Sequence, residues 1–255
     1  MKYSLLVPTR NRENMVANYL DSVYKMTHKK NDIEVLFVCD DDDDASQNYV
    51  KRFQKQYERT IDIKLFTRGR TEFINEDYYN FLAHKASGDY LWIQADDLEM
   101  TQPGWDTRVS EAVEHYAKDK PDKIFCISIK DNTPVPRHTM PKFPCFPMFP
   151  KQVLEFLGYL LYPTVPTWGT DYIAYVTFQP IDRLLEIHDA NYINHISHHT
   201  KQVEVDATAK RVGAIFNRLK GVPAHNTDLI MQEIIPGVRN KILNKIKDFN
   251  QIGEK

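Results

Sequence analysis

Four short apolar runs fall within the first hundred residues, and each stops abruptly at a polar or charged loop. The first, Lys2 to Val7, ends at Pro8-Thr9-Arg10-Asn11-Arg12, and the second, Ile33 to Cys39, ends at the five aspartates Asp40 to Asp44. The third, Ile61 to Phe66, stops at Thr67 to Arg70, and the fourth, Tyr90 to Ile93, runs into Asp96 and Asp97. Their aromatic and β-branched content predicts strands. Between them lie segments of helical spacing: Met15, Val16, Tyr19, Leu20 and Val23, then Ala45 to Glu58, then Asn75 to Lys85. Three or four such β-α units argue for an open, mostly parallel α/β sheet. The near-continuous apolar run of Ile33 to Cys39 fits a parallel strand covered on both faces. In a parallel sheet all four charged stops share the carboxyl edge, where ligands bind.

Charge at that edge has to be argued locally, because the chain as a whole is balanced. Its 255 residues carry 33 basic and 35 acidic side chains, which predicts no nucleic-acid partner. Hydrophobic residues make up 42%, enough for a sizeable core. Three cysteines, Cys39, Cys126 and Cys145, show no metal-like spacing, and their odd number suggests reduced thiols in a cytoplasmic setting. Met1-Lys2-Tyr3 leads straight into the first strand, so neither a leader nor a transmembrane segment is expected. The expectation is a soluble, cytoplasmic protein, with peripheral membrane contact left open.

The second half is less regular. A helix is expected from about Asp106 to Ala117 and a strand from Lys123 to Ile129. The stretch Asn132 to Pro150 holds six prolines and reads as a loop, incompatible with a regular helix or a central strand. An apolar helix follows near Lys151 to Tyr162, then a break at Pro163 to Gly169. Thr170 to Phe178 alternates and fits either a strand or a helix start. Histidines cluster at His188, His195, His198 and His199. Two amphipathic helices, about Asp206 to Leu219 and Asp228 to Phe249, close the chain. The organisation expected is one α/β unit over 1–205, divided into 1–105 and 106–205, and a helical segment over 206–255.

Two adjacent carboxylates repel each other unless a cation neutralises them, and hard oxygen ligands suit Mn2+ or Mg2+. Taken alone, Asp96-Asp97 is more often a polar turn. Asp40 to Asp44 is most simply a solvated segment favoured by the dipole of the next helix, with its first one or two members in contact with ligand. It lacks the interleaved spacing of a calcium loop. Arginines, an aspartate and a dicarboxylate at one edge fit a nucleoside diphosphate: the aspartate accepts from a base N–H, and a metal neutralises the pyrophosphate.

The order of these pieces, an apolar strand, Pro-Thr-Arg-Asn-Arg, a helix, an apolar strand, Asp-Asp, then Ala-Ser-Gly-Asp-Tyr and Ala-Asp-Asp, resembles the GT-A glycosyltransferases, most closely those of family 2. The resemblance covers about residues 2–105. It implies a GT-A fold with a C-terminal helical extension, and a metal-dependent transfer of a sugar from a nucleotide-sugar donor, UDP-linked, to a hydroxyl of a glycan or other acceptor, with inversion. Nucleotide-sugar contacts carry over to Pro8, Thr9 and Arg10, to Asp40 or Asp41, to Arg68 or Arg70, to Asn80 and to Asp96. Asp97 matches the principal metal ligand of the DXD motif, with Asp96 beside it. Gln94 departs from the commonest Asp-Ala-Asp-Asp form. Asp171, in Trp168-Gly-Thr-Asp171, matches the base that takes the acceptor proton, although an N-cap is an equal alternative. His198 or His199 matches a late metal ligand, and Trp168 and Tyr172 an aromatic acceptor wall. Two rivals are weighed: a sugar nucleotidyltransferase, which lacks its Gly-x-Gly-x-Arg loop here, and a catalytically silent glycan-binding scaffold.

Overall fold

The strands β1 (Tyr3–Thr9), β2 (Ile33–Asp40) and β3 (Asp62–Arg68) are joined by the helices α1 (Glu13–Met26) and α2 (Asp44–Tyr57). This computed structural model describes residues 1–133, 143–163, 169–196 and 235–253. Helical crossovers bring successive strands side by side in parallel. β1 pairs with β2 from Tyr3↔Ile33 to Thr9↔Cys39, and β2 with β3 from Glu34↔Asp62 to Asp40↔Arg68. β4 (Tyr90–Ile93) joins the other side of β1, also in parallel. All four carboxyl ends therefore lie on one edge.

Side chains alternate between the two faces. Leu5, Val7, Val35, Phe37 and Trp92 pack with α1, α2 and α4 (Trp105–Ala117). Leu6, Leu36, Val38, Leu91 and Ile93 pack on the opposite face, with the π-helical turn Asn75–Asn80 and α3 (Phe81–Lys85). Every residue of β2 is buried, which explains its unbroken apolar run. The rings of Trp92 and Trp105 meet 5.2 Å apart, and burying side chains of this size stabilises by roughly 2–3 kcal/mol each. Cys39 and Cys126 belong to this core.

The proline-rich stretch corrects the sequence reading. Met148–Pro150 form β7, which lies inside the sheet between β4 and β6 (Cys126–Ile129) and is antiparallel to both. The prolines are tolerated because they stand at its ends, where a missing N–H costs little. Pro147 contributes its carbonyl to Ile93 N, at 3.1 Å, and Pro150 closes the strand opposite Tyr90. With β8 (Leu184–Ile187) parallel to β6, the order is β3-β2-β1-β4-β7-β6-β8. A second, two-stranded sheet pairs β5 (Leu98–Met100) with β9 (Ile193–His195).

Among the described residues, three α-helices follow β7. α5 (Lys151–Leu157) stops at Gly158, short of the expected Tyr162. α6 (Thr170–Phe178) is a helix, which settles the ambiguity of its sequence. α7 (Ile235–Gly253) docks on α6 through buried Ile235 and Ile242, and Arg239 Nε donates to Val176 O at 2.9 Å. The helix expected over Asp206 to Leu219 and the start of the next one lie outside the described residues. Among the described residues, no helix is long and apolar enough to cross a membrane.

Candidate active site

At the carboxyl edge, the loop after β1 is bound to carboxylates on both sides. Arg10 Nη1 donates to Asp40 Oδ2 and to Asp42 Oδ1, at 2.5 Å each. Asn11, at φ 52, turns the chain, and its N donates to Ser46 Oγ at 2.8 Å and Asp43 Oδ2 at 3.1 Å. Arg12 Nη1 then donates to Asp96 Oδ1 at 2.9 Å, and Thr9 Oγ1 to Asp96 Oδ2 at 2.8 Å. Pro8 itself pairs with Val38 within the sheet. Asp40 is buried, and its Oδ1 accepts from the hydroxyl of Tyr78 in the π-helical turn. Burial, with Asp40 beside it, pushes the Tyr78 phenol up, so it stays a neutral donor. Asp41 is exposed and donates its N to Arg68 O.

Asp96 and Asp97 follow β4 as expected of a parallel strand end. Asp96 is 3% exposed, and burial pushes its carboxyl up to about 6, with Arg12 opposing the rise and Asp97 adding to it. Asp97 faces His195, whose Nε2 stands 3.7 Å from Asp97 Oδ2. The other ring nitrogen, Nδ1, lies 3.0 Å from Thr133 Oγ1, and the ring edge packs on Phe146. β9 delivers His195 because Leu98↔His195 is the closing pair of the small sheet, and Ile196 N donates to Asp97 O at 2.9 Å. In the tautomer whose Nδ1 donates to Thr133, Nε2 is an acceptor that can face a metal. A carboxylate and an imidazole fit Mn2+, with Mg2+ less well served by the nitrogen. Among the described residues, no group of three such ligands gathers, so donor oxygens and water would complete the shell. Gln94, fully buried, has no hydrogen-bond partner for either amide atom among the described residues.

Asp171 sits in the first turn of α6. The residue before that helix is Gly169, at φ 88, a backbone conformation glycine adopts without strain, so Asp171 is not its N-cap. Its Oδ1 accepts from Tyr172 N at 2.7 Å. Although the residue is only half-buried, burial raises its carboxyl to about 6, with the charge of Asp131 adding to the rise. Asp131 is buried beyond β6 and bridges to Ile193, so the neighbourhoods of Asp171 and His195 adjoin. Tyr172 is exposed beside Asp171.

Other expected residues are placed differently. Asn80 is turned into the fold: its Oδ1 accepts from Leu160 N and Leu161 N, and its Nδ2 donates to Leu161 O and Glu76 Oε2. All four hydrogen-bonding positions of that amide are filled within the fold, so Asn80 braces the chain after α5. Arg68 pairs with Asp77 at 3.3 Å and covers the Phe81 ring. Arg70 lies close enough to Asp42 to help hold its carboxyl down, after Arg10. His198, His199 and Trp168 lie outside the described residues. Arg12, Tyr78 and His195 are the contributors that the sequence alone did not single out. Their signal is positional: Arg12 belongs to the first loop, Tyr78 to the helix beyond it, and His195 to the histidine cluster.

A profile described as Glycosyl transferase family 2 matches residues 4–163, more than half of the chain. The chain belongs to this family. A poly(ribitol-phosphate) beta-glucosyltransferase of Bacillus spizizenii is 33% identical over 64 residues, 25% of this chain and 10% of that protein. The match thus spans a tenth of that relative's length. Among solved structures, S. aureus TarS 1–349 in complex with UDP superposes with a TM-score of 0.60 at 16% identity, covering 90% of this chain and 75% of that one. The mannosyltransferase PcManGT from Pyrobaculum calidifontis, in complex with GDP-Man and Mn2+, gives 0.56 at 14% identity, covering 100% and 88%. The family 2 chain therefore has the GT-A fold that its strand order describes.

Proposed function

We propose that this family 2 chain is a glycosyltransferase that moves a sugar from a UDP-sugar to a hydroxyl of a glycan or other acceptor, inverting the anomeric carbon. The observation that carries the reading is the convergence of Arg10, Asp40, Arg12, Asp96 and Asp97 on one sheet edge, with Asp171 at the start of α6. Asp40, held by Arg10 and Tyr78, is oriented to accept a base N–H. Family membership and the fold shared with a UDP-bound transferase support the donor class. Asp97 and His195 would hold the divalent metal, whose chemistry when bound is to neutralise a leaving diphosphate. His198 and His199 remain candidates beside it.

The acceptor hydroxyl oxygen attacks the anomeric carbon, the bond from that carbon to the diphosphate oxygen breaks, and Asp171 takes the hydroxyl proton. A carboxyl raised to about 6 is still ionised near pH 7 and is a stronger base than an ordinary aspartate. Trp168 and the exposed ring of Tyr172 would offer a wall for the acceptor. None of the three cysteines forms a disulfide, which is consistent with a cytoplasmic reaction.

Asp171→Asn should abolish transfer from UDP-sugars while UDP still raises the melting midpoint in the presence of Mn2+. Retained turnover removes Asp171 as the base, and absence of any nucleotide effect on either protein removes the donor reading.

A further inference from the structure

The first loop commits its two arginines to different carboxylates: Arg10 to Asp40 and Asp42, Arg12 to Asp96. Both oxygens of Asp96 are engaged by that one loop, Oδ2 by Thr9 and Oδ1 by Arg12. The partners differ in freedom. The Asp96 side chain is 5% exposed and sits between its two donors, whereas that of Arg12 is 28% exposed and so in part within reach of a ligand at the site. Asp97, the next residue, faces His195.

We propose that Arg12 is an internal counter-ion: in the free protein its guanidinium neutralises Asp96 and opposes a cation at Asp97, and it releases that carboxylate when a donor diphosphate arrives. This rests on the donor reading above and adds to it a reason for ordered binding. A divalent cation at Asp97 meets a positive guanidinium paired with the adjacent Asp96, whose charge is thereby already matched. A diphosphate offers the guanidinium more negative charge and paired acceptors. Movement of Arg12 onto it leaves Asp96 uncompensated, which favours the cation. Nucleotide and metal then strengthen each other's binding, and by linkage the factor is the same in both directions.

The test is Mn2+ binding to the full chain, without nucleotide, followed by electron paramagnetic resonance of the free ion. Wild type is compared with Arg12→Gln, which keeps a hydrogen-bond donor but no charge, and Arg12→Lys, which keeps the charge. Arg12→Gln should bind Mn2+ about fivefold more tightly or better, Arg12→Lys should match wild type, and UDP should tighten Mn2+ binding less in Arg12→Gln than in wild type. A melting curve for each variant shows that it is folded. Unchanged, weaker or absent Mn2+ binding in Arg12→Gln overturns the proposal, as does equal tightening in Arg12→Lys. If the nucleotide-free affinities shift as stated but UDP binds none of the proteins, the donor reading fails and the charge opposition by Arg12 stands.

Discussion

Glu34 and Asp96 are buried carboxylates at opposite ends of the parallel strands β2 and β4 of one sheet, and their surroundings treat them in opposite ways. Glu34, at the amino end of β2, is 0% exposed and accepts from Ser4 Oγ, Ser87 N, Ser87 Oγ, Gly88 N and Lys64 Nζ. Burial alone would raise its carboxyl, but the hydrogen bonds from Lys64, Ser4 and Ser87 outweigh it and hold the group down at about 2. Gly88 is required there, since a Cβ would fall 2.5 Å from Ser4 Oγ and 2.9 Å from Ser4 N. Asp96 has two side-chain donors, Thr9 and Arg12, and is pushed up to about 6. A saturated carboxylate holds strands together, and an undersaturated one keeps capacity for a ligand. The difference separates the structural edge of the sheet from its chemical edge.

Exchanging the two edges by mutation should give the largest effects, and of opposite kinds. Asp97→Ala should lower transfer by about 10³-fold, while its melting midpoint stays within a few degrees of wild type. Glu34→Gln should leave the donor KM unchanged yet cost about 3 kcal/mol, the equivalent of its shift from 4.5 to about 2. In a chain of this size that loss lowers the midpoint by about 6–12 °C. Calorimetry and initial rates on the same preparations decide the matter. A stable Glu34→Gln protein with impaired transfer would erase the distinction between the edges.

The pH dependence sharpens the same comparison. For Glu34 the folded value lies below the unfolded one, so its stabilisation is complete above about pH 4.5 and is lost as pH falls toward 2. For Asp96 the folded value, about 6, lies above the unfolded 3.8, so ionisation costs stability, fully so above pH 6 and not at all below about pH 4. Urea unfolding from pH 2 to 8 should show the wild type gaining on Glu34→Gln as pH rises through the acid range. Against Asp96→Asn it should lose ground between pH 4 and 6. Slopes of the same sign would mean that both carboxylates are equally satisfied.

The chemical edge was more legible in the sequence than the structural one. Strand ends announce themselves where apolar runs meet charge, so the sequence alone puts Asp40, Asp96 and Asp97 at strand ends. Glu34 sits inside an apolar run and meets partners 30 and 53 positions away, and no local pattern encodes a contact between Glu34 and Ser87. β7 escaped for a related reason: proline content argues against a strand interior and says little about a three-residue strand that follows one proline and ends on another. Asn80 looked like a donor contact because of its place before the Gly-Asp-Tyr turn, whereas its amide is consumed by Leu160 and Leu161 across some eighty residues of chain. His195 was visible as one histidine of a cluster, but only the pairing of β5 with β9 selects it.

The smallest effect concerns Asp40, which stands between the two extremes. It is buried like Glu34, yet it has two side-chain partners, Tyr78 on Oδ1 and Arg10 on Oδ2. A carboxylate oxygen accepts more than one hydrogen bond, so both partners can remain while a nucleobase donates to the same group. Removing the Tyr78 hydroxyl takes away one aiming contact and leaves the charge paired by Arg10. Tyr78→Phe should therefore cost about 1 kcal/mol in donor binding, raising the donor KM about fivefold with kcat within a factor of two. The expected loss of fold stability is no larger, because the ring itself stays packed between the π-helical turn and the sheet. A fall in kcat at unchanged KM would mean that the hydroxyl acts on the reacting end of the donor, and Asp40 would then belong with Asp97 in the chemistry instead of in the recognition of the base.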